Sequence, residues 1–136
     1  MSDHPAIPAP TPVLIALLTD LLPAIGDRVS IVLLSPLPAL RVAKIGDQQG
    51  VSDWDVAPMY QIEVWAEDEL EAEEIAYALK NAWPHAGRQR VGDGVVHGRW
   101  VVQDPMPLPA NDDEAQTDLA RYLLTVAFRM TGASHG

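Results

Sequence analysis

The residues from Pro58 to Trp83 constrain this chain more than any other stretch. They open with alternation: Tyr60, Ile62, Val64 and Ala66 share one face, with Gln61 and Glu63 on the other. A period of two marks a strand with one buried side. The period then changes. Asp68 and Glu71 stand at the spacing of a capping box, and Ala72, Ile75, Ala76, Leu79, Ala82 and Trp83 form a stripe at helical period. An amphipathic helix needs an apolar surface to cover, and the strand just before it supplies one.

The rest of the chain extends this unit. Thr11 is expected to cap a first helix with Pro12 at its first position, and Leu14, Leu17, Leu18, Leu21, Leu22 and Ile25 form its apolar face. Pro23 should distort its last turn, and Gly26 ends it. Strands are predicted at Val29–Leu34, Ala39–Ile45, Pro58–Ala66, Val95–Val102 and Arg121–Met130. Gly92-Asp93-Gly94 reads as a turn into the fourth strand, and long loops are expected at 46–57 and 104–118. This order predicts an α+β fold: a mainly antiparallel or mixed sheet of about five strands, with two helices packed on one face. Leu17, Leu21, Ile62, Val64, Ile75, Leu79, Val126 and Phe128 are the expected core, leaving Gln61, Glu63, Arg99, Arg121 and Arg129 on the opposite sheet face. Residues 1–11, with Pro5, Pro8 and Pro10, are expected to be a flexible arm, 12–131 a single domain, and 132–136 a flexible tail.

Composition narrows the function. The 136 residues contain no cysteine, so disulfides and thiolate metal sites are excluded. The longest apolar run, Val13–Leu18, is too short to span a bilayer, and no basic segment at the N-terminus suggests a signal peptide. Net charge is −10. Glu67, Asp68, Glu69, Glu71, Glu73 and Glu74 crowd the start of the second helix, where the earliest of them complement its dipole. Asp104, Asp112, Asp113, Glu114 and Asp118 lie between the last two strands. Such a chain does not grip phosphates, for which Arg88, Arg90 and Arg99 are too small a cluster.

Chemistry finds little support. His4, His85, His97 and His135 show no metal-ligand spacing. Asp53, Asp55 and Glu63 resemble the acids of metal-dependent nucleases, but Trp65 stands where such sites usually place a lysine. There is no nucleophile elbow, phosphate loop or dinucleotide fingerprint. We therefore expect no enzyme activity, no cofactor and no metal. Trp54 in the 46–57 loop either folds back on the core or anchors a partner. The candidate interface residues are Trp54, Asp53 and Asp55 in that loop, with Arg121, Thr125 and Arg129 on the last strand.

A strand ending Val64-Trp65-Ala66, followed by an acidic turn and the helix from Glu71 to Leu79, resembles the middle of the tail terminator (tail completion) proteins of long-tailed phages. The likeness extends to Leu22–Val29, to Pro38–Asp47, and to Pro109, Asp112, Asp113, Arg121, Tyr122, Leu124–Val126 and Arg129. The proline-rich segment 1–11 has no counterpart in it. The resemblance implies a virion structural protein, assembled in the host cytoplasm and carried at the head–tail junction. It implies self-association into a hexameric ring that caps the tail tube, ends its polymerisation and meets the head–tail connector protein. Viral DNA would pass through the lumen without specific binding, and no membrane is involved. The rival readings are another head–tail neck protein, an adaptor or head-completion protein, and a small generic protein-binding domain.

Overall fold

The computed structural model describes residues 5–48, 54–108 and 120–133. Asp68 caps α2 (Glu69–Ala82) as its spacing predicts, accepting a hydrogen bond from the Glu71 backbone N–H at 2.8 Å. Ala72, Ala76 and Leu79 of α2 are buried, and the chain continues into a single 3₁₀ turn, Trp83–His85. α1 (Pro10–Leu21) buries Val13, Leu14, Leu17 and Leu18 in the same core. The strands are β1 (Val29–Ser30), β2 (Ala39–Gln48), β3 (Asp55–Ala66), β4 (Gln89–Val91), β5 (Gly94–Leu108) and β6 (Ala120–Gly132).

They form one curled sheet in the order β1-β2-β3-β6-β5-β4. The β1–β2 pair is parallel and all others are antiparallel. The fold is therefore the expected α+β sheet of about five strands with two helices on one face, the described residues forming six strands. Tyr60, Ile62, Val64, Tyr122, Leu124, Val126, Phe128 and Met130 face the helices, alternating along β3 and β6 as read from the sequence. All eight expected core residues contribute; Leu21 and Ile75 sit at its margin, partly buried.

Five local readings change. The apolar run Val29–Leu34 pairs only at Val29 and Ser30; Ile31 is 64% exposed and Val32 56%. Parallel neighbours need a return crossover, and residues 31–38 are consumed in bringing the chain back to the start of β2. Second, α1 starts at Pro10 behind Ala9, which makes no side-chain cap. The Thr11 hydroxyl bonds instead with that of Tyr60 at 2.7 Å, and Pro23 lies beyond the helix end. Third, the 46–57 loop is shorter than expected, because β2 runs to Gln48 and β3 begins at Asp55; residues 49–53 lie outside the described chain.

Fourth, residues 104–108 belong to β5, the rest of that loop up to 118 lying outside the described residues. β4 pairs only with residues 94–96, so beyond Val96 one side of β5 has no strand neighbour; Pro105 falls in a register shift against β6 and Pro107 opposite Tyr122, edge positions that tolerate proline. Fifth, Arg99 lies on the helix side of the sheet. An irregularity between Val96 and Gly98 breaks the alternation of β5, and the Arg99 guanidinium lies 5.2 Å from the centre of the buried Trp83 ring.

Ahead of α1, Ile7 packs against the core. A Cβ on Gly132 would stand 2.5 Å from the Ala6 carbonyl and 2.6 Å from that of Pro5, so only glycine admits this approach. Leu79 is fully buried beneath α2. Leu79→Ala should lower unfolding free energy by about 2–5 kcal/mol, read from chemical denaturation; a loss under about 1 kcal/mol would contradict the packing described.

Candidate assembly surface

The sheet face away from the helices carries two polar constructions. In the first, the cross-strand pair Arg41 and Glu63 bond twice, Nε to Oε1 at 2.6 Å and Nη2 to Oε2 at 3.0 Å. Trp65, two residues along the same strand, donates its indole N–H to Glu63 at 3.2 Å. Arg121 lies opposite Trp65 on β6, and the guanidiniums of Arg41 and Arg121 stand 5.5 and 4.9 Å from the Trp65 ring centre. Stacking and bidentate pairing lock these long side chains in place.

The second construction lies at the other end of the same strands. The Asp55 carboxylate is fully buried and accepts from Arg129 Nε at 2.6 Å. His97 bonds the Thr131 hydroxyl at 2.7 Å. Burial, with Arg129 and Arg88 adding to it, holds His97 below the usual histidine value of 6.5. Between the two constructions the face is covered, for Thr125 is only 3% exposed. The Gln48 side chain of β2 reaches across β3 and β6 to accept from the Trp100 indole at 2.9 Å, which the curl of the sheet permits.

The candidate interface residues therefore divide. Trp54 projects, 46% exposed, at the start of β3. Arg121 and Arg129 are partly exposed and held in the networks above. Asp55 and Thr125 are buried, so they support the surface from beneath, and Asp53 lies outside the described residues. Sequence alternation places Arg121 and Arg129 on this face but gives no sign of their partners, which come from other strands. The acids compared with nuclease ligands do not converge: Asp55 pairs with Arg129 and Glu63 with Arg41. Among the described residues no three His, Asp or Glu side chains are grouped to hold a metal ion, and no helix is long and apolar enough to cross a membrane.

On the helix side, the Tyr122 hydroxyl donates to Glu73 at 2.8 Å, which pushes its ionisation up to about 12 and ties α2 to β6.

No family model and no curated protein sequence matches the chain. Among solved structures it is similar to a chain of a structure described as the virion of a native gene transfer agent (GTA) particle. The TM-score is 0.55 and the identity 18%, over 82% of this chain and 84% of that one. At that identity the likeness is one of fold, and it covers most of both chains.

His97 generates a signed expectation. Its folded value lies below the unfolded one, so the native state resists its protonation. This group costs no stability well above pH 6.5 and removes stability as pH falls below that value. His97→Gln should flatten the stability–pH slope between about pH 7 and 5.5, measured by denaturation across that range. An unchanged slope would mean that His97 titrates alike in the folded and unfolded chains.

Proposed function

We propose that the chain is a structural subunit of a phage-like virion. In this reading it forms a ring, a hexamer by the family resemblance, that caps the tail tube, ends its polymerisation and joins the tail to the head connector. The observation that carries the reading is the fold likeness, over most of both chains, to a chain of a gene transfer agent virion, found independently of the tail-terminator sequence pattern. The construction of the surface is consistent with it. Side chains on the open sheet face are spent on ion pairs and stacking that stiffen the sheet, as an assembly subunit requires and as a reaction centre does not.

The acidic balance suits passage of DNA through a lumen, because a surface poor in unpaired cations does not hold phosphates. Trp54 then serves as a contact residue at the tube or at the neighbouring subunit, its exposed indole supplying apolar area at a hot spot.

Electron microscopy and tube-length measurement test this. Purified protein added to polymerising tail tubes should appear as a ring at one tube end and should halt growth. Tubes that lengthen at an unchanged rate with bare ends would refute the reading and favour another neck role or a generic binding module. Trp54→Ala should change unfolding free energy by less than about 1 kcal/mol, as an exposed substitution does, while weakening capping. Global unfolding of that variant would make Trp54 a core residue.

A further inference from the structure

We propose that the ring closes head to tail by charge, the acidic start of α2 in one copy seating in the Arg88–Arg90 cleft of the next. This rests on the ring reading above and says where its subunits touch. The cleft is open, about 520 Å³, and lined by Arg88, Arg90, Val95, Thr131, Gly132 and Ala133. Among the described residues Arg88 makes no hydrogen bond or ion pair, and Arg90 bonds only the Gly92 carbonyl, at 3.2 Å. In a chain of net charge −10 these two cations have no carboxylate partner among the described residues.

The complementary set stands at the start of α2. Asp68 is engaged as the helix cap and Glu73 by Tyr122, but Glu67, Glu69, Glu71 and Glu74 have no cation beside them among the described residues. The nearby Lys80 is committed to Asp104 at 3.4 Å. Leu70 lies among these carboxylates, 64% exposed, and Tyr77, two helical turns on, is 40% exposed. An apolar residue inside an uncompensated acidic patch suits a contact surface, with the charges as its rim and the apolar groups as its centre. Val95, partly exposed, offers an apolar contact in the cleft.

The topology prevents one chain from satisfying both sets. β3 runs from Asp55, paired with Thr131 beside the cleft, to Ala66, just ahead of α2. Its length separates the two ends by roughly 35 Å. The contact is therefore between different surfaces of two copies, the arrangement that closes into rings. Pairing through sheet edges is the weaker route. β1 has two residues, and β5 beyond Val96, where β4 no longer pairs with it, is irregular in its register with β6 and carries Pro105 and Pro107, which blunt it against strand addition.

The test is charge reversal in the full chain, with oligomeric state read by light scattering alone and with tail tubes. Arg88→Glu/Arg90→Glu carries two acidic ends, and Glu67→Lys/Glu69→Lys/Glu71→Lys/Glu74→Lys, which reverses all four unpaired acids, carries two basic ones. Each variant alone should self-associate on the order of 100-fold more weakly than the parent. Mixed in equal amounts they should restore a ring with alternating subunits, and raising salt should weaken parent and mixture alike. Thermal melts confirm that each variant is folded; if the helix variant melts early, Glu67→Gln/Glu69→Gln/Glu71→Gln/Glu74→Gln replaces it and should by itself lose self-association.

Parent rings that persist in both reversed variants, or a mixture that stays monomeric, would overturn the interface while leaving the ring standing. A cleft variant that assembles normally but loses retention of a short DNA duplex would assign the arginines to nucleic acid instead. A parent chain that forms no ring with or without tubes overturns both readings.

Discussion

The indole of Trp83 joins α2 to the middle of the sheet. It is fully buried, and its N–H is shared between the carbonyls of Trp100 on β5 and Ala127 on β6, at 3.1 and 3.2 Å. Its ring meets Phe128 edge-on, with centroids 6.1 Å apart, and Phe128 stacks in turn on Tyr60 of β3. Three strands and a helix end thus converge on one side chain whose only polar atom is satisfied. Arg99 follows from this arrangement. Its guanidinium covers the indole and reaches the Gly87 carbonyl and the Gln89 side chain, closing the 3₁₀ turn onto β4.

Anchoring both helices on one face leaves the other face without a helical cover. A sheet exposed on one side needs side chains that tolerate water yet hold their shape, and the Arg41–Glu63–Trp65–Arg121 construction meets both demands. The same one-sidedness sorts charge along the strands. α2 begins where β3 ends, so its carboxylates gather at one end, while Arg88 and Arg90 lie at the other, near the neutral Arg129–Asp55 pair. Unlike ends suit the head-to-tail contact proposed above.

Much of this was legible in the residues. The change from period two to helical period between Ala66 and Ala72 located β3 and α2, and alternation in Tyr122–Met130 placed Arg121 and Arg129 on the open face. The failures share a cause. Val29–Leu34 has strand composition, yet composition does not reveal that a parallel return must consume most of it. Residues 104–108 read as the start of a long polar loop, yet they extend β5 where one side of it has no strand neighbour and proline is tolerated. Thr125 follows the alternation onto the open face, yet it is buried there.

The sequence by itself determined which segments are amphipathic, and therefore the two-layer arrangement of helices on a sheet, because periodicity is a property of neighbouring residues. Tertiary structure alone decided the strand order, the side of the sheet that Arg99 occupies, the partners of Asp55 and Glu63, and the separation of the two charged poles. Each of those depends on a register shift or a pairing between residues distant in the chain, and the local pattern carries no record of either.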